Sequence, residues 1–340
     1  MKKKNFLWSM MALTVAAMLS VGFTACGGDD DDEGGSSGGS GSPKTNIGVL
    51  DAKSGLRLKS VGDYTYYYNN KGLIDYIADK YDRYEFSYNP NKIYVVDNYD
   101  KDDESLSVSY NKSGYLSALS YSFERDKTEG LWSESAKANY SYDGSGHLTK
   151  IAGSGKEIGT EDGERISDTW TFSYVLTWRN DKLMQVAWTE TEIEDGESDT
   201  ETETYTFQYE DNDYQNVYRQ WAPSLARPLD EVEECLAFVG LLGVGPSMLP
   251  SSGERYEEYY SDGKKKTETK EYTFNHRFNS DGSLNSVTVN SNTYKYTYDY
   301  VGDEDYSKSR SIAVDQNEQQ EQFVKSMRQM LHRKGRHASR

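Results

Sequence analysis

Cysteine is almost missing from these 340 residues: only Cys26 and Cys235 occur. Two cysteines supply no disulfide framework, so stability must come from packing. Histidine is nearly as scarce. His147, His276, His332 and His337 are the only four, and none forms a metal-type pair, which leaves no zinc signature. No Gly-x-Ser-x-Gly elbow occurs, and the glycine run from Gly240 to Gly245 lacks the lysine of a phosphate loop. The residues therefore nominate no catalytic group, no metal site and no cofactor. Basic charge is short as well, with 38 Lys and Arg against 56 Asp and Glu, a formal net charge of −18. Nucleic acid is excluded as a partner, because phosphate binding needs a basic face. Long apolar runs are absent too. Phe6 to Val21 is apolar, but it is short for a membrane span and is interrupted by Ser and Thr.

What the chain has in excess is tyrosine, 29 residues, arranged in copies of one pattern. Ala138 to Ile151 reads ANYSYDGSGHLTKI. Tyr140 and Tyr142 alternate with Asn139 and Ser141, the period of a strand with one aromatic face. Asp143 then opens a type I turn by accepting a backbone hydrogen bond two residues on. Gly146 takes positive φ, and Leu148 opens the return strand. The pattern recurs at Tyr68-Asn69…Gly72, Tyr110-Asn111…Gly114 and Phe278-Asn279…Gly282. Looser copies without the glycine begin at Tyr88, Trp178 and Tyr209. Seven turns imply about fourteen strands. The expected fold is thus all-β: an antiparallel meander of about seven hairpins, curled into a barrel-like or closed sheet. The extra residues of the later copies fall between hairpins, which predicts tight turns at one end and long loops at the other.

The strand faces choose between water and lipid. Trp170, Phe172, Tyr174, Leu176 and Trp178 share one face of the clearest strand, opposite Thr169, Thr171, Ser173, Val175 and Thr177. Tyr272, Phe274, His276 and Phe278 repeat this opposite Glu271, Thr273, Asn275 and Arg277. Turning the polar faces to lipid would cost up to about 2–4 kcal/mol for each Lys or Arg at the midplane. Turning the aromatic faces to lipid would allow a span, but return strands such as Ser283 to Asn290 are polar on both faces. The reading is a sheet in water with its aromatics inward.

One stretch outside the strands is apolar. Between Arg219 and Ser252, Leu229, Val232, Cys235, Leu236 and Val239 form a helical stripe, followed by GLLGVGPSMLP. Fourteen inward aromatic faces would enclose more space than they fill, so this short helical insertion is expected to plug or cap the sheet. Leu236, Val239 and Leu242 should lie against strand aromatics, with Cys235 an inert buried thiol. The acid-rich segment 97–104 reads as a solvated loop, and 153–168 and 190–203 read as solvated hairpin ends. Trp132 and Trp221 fall outside the regular strands, and they are the two candidates for stacking on a ligand such as a sugar.

The N-terminus carries two resemblances. Lys2, Lys3 and Lys4, the apolar stretch and Phe23-Thr24-Ala25-Cys26 resemble the lipobox of bacterial lipoproteins. That resemblance implies cleavage before Cys26, lipidation of Cys26 (palmitate among its acyl groups) and a membrane-lipid partner. Asp29, Asp30, Asp31, Asp32 and Glu33 resemble the acidic surface-export signal of Bacteroidetes-type lipoproteins. Gly34 to Ser42 is a flexible spacer. The hairpins resemble the YD repeats of RHS-type proteins. From about Asn46 to Tyr300 the chain is similar to a Bacteroidetes-type surface lipoprotein family with Tyr-rich hairpins and a porin-like fold. The resemblance implies a fold and an outer-membrane, cell-surface location; it implies no activity. The expected organisation is a signal peptide over 1–25, a lipidated linker over 26–45, a hairpin domain over 46–306 with the insertion at 219–252, and a polar, basic tail over 307–340. Two function classes follow: a non-enzymatic binding or adhesion module, with a surface glycan as one ligand, or a structural envelope protein or subunit docking to an outer-membrane transporter. A glycoside hydrolase using paired carboxylates ranks below both.

Overall fold

Three of the hairpins begin with one side chain. Asn69 accepts hydrogen bonds at its Oδ1 from the backbone N–H groups of Lys71 and Leu73, at 3.0 and 3.2 Å. Asn111 accepts from Ser113 and Tyr115 in the same way, and Asp143 from Ser145 and His147. Gly72, Gly114, Gly146 and Gly282 then have φ between +74° and +87°, which only a residue without Cβ adopts freely. The glycine-free copies turn differently. Asn180 and Asp181 both have positive φ, the combination of a two-residue type I′ hairpin.

The computed structural model describes residues 47–301, except 52–54, 80–81, 98–103, 128–129, 162–163, 195–196, 211–213, 227–228, 230 and 262–263. Cys26, the acidic run 29–33, the linker, most of the 97–104 segment and the basic tail lie outside these residues. The strands are β1 (Val49–Asp51), β2 (Leu56–Val61), β3 (Tyr64–Tyr68), β4 (Ile74–Ala78), β5 (Asp82–Tyr88), β6 (Asn91–Asp97), β7 (Glu104–Tyr110), β8 (Leu116–Lys127), β9 (Gly130–Tyr142) and β10 (Leu148–Glu161). Then come β11 (Glu164–Arg179), β12 (Lys182–Glu194), β13 (Glu197–Gln208), β14 (Tyr214–Gln215), helices α1 (Pro223–Ala226) and α2 (Glu231–Phe238), β15 (Met248–Leu249), β16 (Ser252–Ser261), β17 (Lys264–Phe278), β18 (Leu284–Val289) and β19 (Asn292–Tyr300). Sixteen strands, β2 to β13 and β16 to β19, pair in antiparallel order, and β19 pairs back onto β2 to close the barrel.

Seven hairpins is therefore an undercount. Six of the seven turns join β3 to β12 and β17 to β18 in pairs, while the copy at Tyr209 is no hairpin turn but leads into the insertion that connects β13 to β16. The missing pair is β19 with β2, joined only by register (Tyr296 opposite Val61, Asp299 opposite Arg57) and carrying no turn for a sequence to show. The expected long loops are also absent among the described connections. The later hairpins lengthen their strands instead: β10 and β11 have 14 and 16 residues and are joined across 162–163.

A second hydrogen bond repeats around the barrel. Five of the seven turn aromatics, and Tyr298 of β19, reach back to a backbone carbonyl near the start of a neighbouring strand. Tyr68 donates to Leu58, Tyr88 to Ile74, Tyr142 to Leu116, Trp178 to Leu148, Tyr209 to Leu183 and Tyr298 to Leu284, all at 2.6–2.8 Å. At these positions the ring packs inside while its polar tip ties adjacent repeats; Phe278 has the ring without the tip. Large rings need space across the strand, and glycine supplies it. Gly153 and Gly155 of β10 sit opposite Phe172 and Trp170 of β11, and a Cβ at either would fall inside the facing ring.

Candidate functional site: the barrel bore

The aromatic faces point inward. Trp170, Phe172, Tyr174 and Leu176 are buried, as are Tyr272, Phe274 and His276, while Thr169, Thr171, Thr177, Glu271, Thr273, Asn275 and Arg277 are exposed. At the Asn/Asp-turn end, the insertion between β13 and β16 occupies the bore. Leu225, Ala226, Leu236, Val239 and Leu242 are at most 5% exposed and belong to the same core as the strand aromatics. Polar ties fix its position. Val244 donates its N–H to the Gly146 carbonyl at 2.8 Å, and Leu116 donates to the Leu241 carbonyl at 2.9 Å. Tyr140 donates to Glu233 at 2.9 Å, and Tyr66 to the Cys235 carbonyl at 3.2 Å.

Two of these ties involve histidines. His276 Nε2 is 3.0 Å from the Ser224 hydroxyl in α1, and burial pushes the imidazole pKa down to about 3, so the ring stays neutral. A serine beside a histidine is also the arrangement of an activated nucleophile. Ser224 is fully buried, however, and the pair serves as an internal strut. His147 stacks on Trp178 with ring centroids 4.3 Å apart; its Nδ1 is 3.0 Å from Asp143, and its Nε2 is 3.7 Å from Asp181. Asp143 resists the upward push of its partial burial: hydrogen bonds from the His147 backbone and ring hold its carboxyl below the ordinary value.

Beyond the plug the lining changes from aromatic to acidic along the same strands. On β13 the inward column runs Phe207, Tyr205, Glu203, Glu201; on β12 it runs Val186, Trp188, Glu190, Glu192. Glu134, Glu157, Asp168, Glu190 and Glu203 are all buried. Register sets them side by side, with Glu134 opposite Glu157, Glu157 opposite Asp168, and Glu203 opposite Glu257. Arg255 of β16 bridges Glu203 at 3.2 Å and also pairs with Glu257; Tyr205 donates to Glu203 at 2.9 Å, and Tyr121 donates to Glu134. Burial, then the charges of Asp199, Glu257, Glu192 and Glu203, raise the Glu201 carboxyl to about 7. The belt can exchange a proton near neutrality and favours cationic over anionic neighbours. Among the described residues no group of three or more His, Cys, Asp or Glu is arranged to hold a metal ion.

Several expectations need correcting here. Segments 153–168 and 190–203 are hairpin ends, as expected, but they are not solvated throughout: among the described residues Glu157, Asp168, Glu190 and Glu203 are buried. The period of two that placed Trp170 inside continues to Asp168, so the signal was present. Trp132 is not in a loop: it lies in β9 with its backbone opposite Arg125. Trp221 is off the strands, but it is 1% exposed and packs edge-on against Trp178 with centroids 6.2 Å apart, so no sugar can stack on its face. The two residues do not form a common platform. Cys235 is a buried free thiol in α2, as expected.

No family model and no curated protein matches the chain. Among solved structures the chain is similar to a porin-like protein from Bacteroides vulgatus ATCC 8482, at 15% identity and a TM-score of 0.44, covering 71% of this chain and 98% of that one. A porin-like protein from Bacteroides uniformis ATCC 8492 matches at 12% identity and a TM-score of 0.23, over 61% of this chain and 91% of that one.

Proposed function

We propose that this chain is a lipid-anchored, non-enzymatic binding module of the outer cell envelope, a filled barrel rather than a pore. The observation that carries the reading is the inversion of faces: charged and hydroxylated residues outside, aromatics and the insertion inside. A lipid-spanning barrel needs the opposite, and an exposed Lys or Arg such as Lys137, Arg277 or Lys295 would cost about 2–4 kcal/mol at the midplane. Anchoring then falls to Cys26, and the acidic run after it supports display at the cell surface. Docking to an envelope transporter is the second reading. It draws on the acidic belt, which suits a basic partner segment.

Two measurements test this. The full chain carrying Cys26→Ser should run as a monodisperse species in detergent-free buffer; aggregation that only detergent relieves would contradict a water-facing barrel. Intact-mass analysis of the membrane fraction should find acyl groups on Cys26 in the native chain. A mature N-terminus at another residue, without lipid, would remove the anchor from the proposal.

A further inference from the structure

At the turn end, between the plug and the segment around β1, lies a cavity of about 130 Å³. Tyr115, Tyr218, Arg219, Trp221, Val239 and Val244 are among its lining residues. Two of them carry buried N–H donors with no acceptor: Arg219 Nη1 and Trp221 Nε1. A buried donor left unpaired is disfavoured by about 1–3 kcal/mol, so each demands an explanation. Water is the ordinary one. Here, however, the two donors belong to residues two apart in sequence, on the wall of one cavity. A closed apolar void of about 150 Å³ takes a benzene-sized ring, so this smaller, half-open one would take the edge of a larger ring.

The backbone shows that the donors are held, not left over. Arg219 has φ of +53°, a conformation unfavourable for a long side chain. It is fixed there by its own N–H bonding to Asn216 and its carbonyl accepting from Gly245, both at 3.0 Å. Trp221 is fixed by Trp178 at its ring and by the Tyr296 hydroxyl at its carbonyl. The backbone N–H groups of Gly48, Gly240 and Val244, which also line the cavity, are already bonded within the protein. The site thus brings two residues with unpaired side-chain donors to one cavity, whose lining mixes backbone and Gln220 polar groups with Val239, Val244 and the aromatic rings.

Charge selects the ligand. Arg219 Nη2 already pairs with Asp181 at 3.0 Å, and Asp181 also faces His147. The guanidinium is thus balanced, and the chain carries −18 overall, so an anion gains little here. We propose that the cavity binds an uncharged, oxygen-bearing ring the size of one pyranose. Its oxygens accept from Arg219 and Trp221 while its apolar edge lies on Val239, Val244 and the tyrosines. Trp221 then acts through its indole N–H at the depth of the pocket and not as a stacking platform. This goes beyond the filled-barrel reading, which stands whether or not the pocket binds anything.

The test uses the full chain with Cys26→Ser and ¹⁵N-labelled tryptophan. Trp221→Phe identifies one indole N–H resonance by its disappearance while leaving an aromatic ring in place. Titration with glucose and with N-acetylglucosamine should move that resonance saturably with at least one of them. Arg219→Asn, which keeps a residue tolerant of positive φ, should weaken the affinity at least tenfold while the other indole signals stay in place. A Trp221 signal unmoved by both sugars would mean that water alone fills the cavity and would overturn the proposal. So would movement with acetate only, which would make it an anion site, or an Arg219→Asn variant that binds as the parent does.

Discussion

Single residues decide where rings fit and where protons sit. Gly155 faces Trp170 with no space for a methyl group, so Gly155→Ala should destabilise by about 1–3 kcal/mol through overpacking. Gly144→Ala, where a Cβ meets nothing within 4 Å, should change little. Urea melts compare the two, and equal midpoints would mean that the glycine–aromatic pairing is incidental. Glu201 supplies a pH signature. Its folded pKa of about 7 lies above the ordinary carboxylate value, so the folded state holds a proton that the unfolded state has released. Its contribution to stability is therefore largest below about pH 4.5 and is lost as pH rises to about 7. Glu201→Gln should flatten the fall in stability across that window relative to the parent, and an unchanged slope would show that Glu201 is not strained by its neighbours.

At the scale of elements, the glycine-bearing turns were legible. Asn or Asp at the first position and glycine at the fourth name the hydrogen bonds made at Asn69, Asn111 and Asp143, because turn chemistry is local; the glycine-free copies turn by another geometry or, after Tyr209, lead into the insertion. The plug was legible for a different reason: one apolar segment outside the strands had only the sheet's interior, its open end or a partner protein to bury it. Val239→Asp should place an unpaired charge among strand aromatics, at a cost of about 3–5 kcal/mol in a thermal or urea melt. A melt like that of the parent would put the segment in water. What local reading missed was long-range. The β19–β2 closure has no turn, and the acidic belt emerges only when the parity of Trp170 is carried past the aromatics to Asp168. Acidic stretches read as solvent-facing because charge normally is; here the strand pleat overrides that habit and turns every second carboxylate inward. Trp221 misled for the same reason: its place off the strands was readable, and its burial by Trp178 was not.

The described residues form a sixteen-stranded closed sheet with an aromatic half, sealed by its own insertion, and an acidic half held by Arg255 and the tyrosine hydroxyls. Its coat is polar, and among the described residues no helix is long and apolar enough to cross a membrane. The central claim is that the bore is filled by the segment from Leu229 to Val244. Hydrogen exchange of that segment in the intact chain tests it most directly. The account predicts protection of the α2 and Leu241–Val244 amides comparable to that of β11 and β12, because they can open only with the barrel. Exchange of those amides at the rate of an unstructured peptide, while β11 and β12 stay protected, would contradict it.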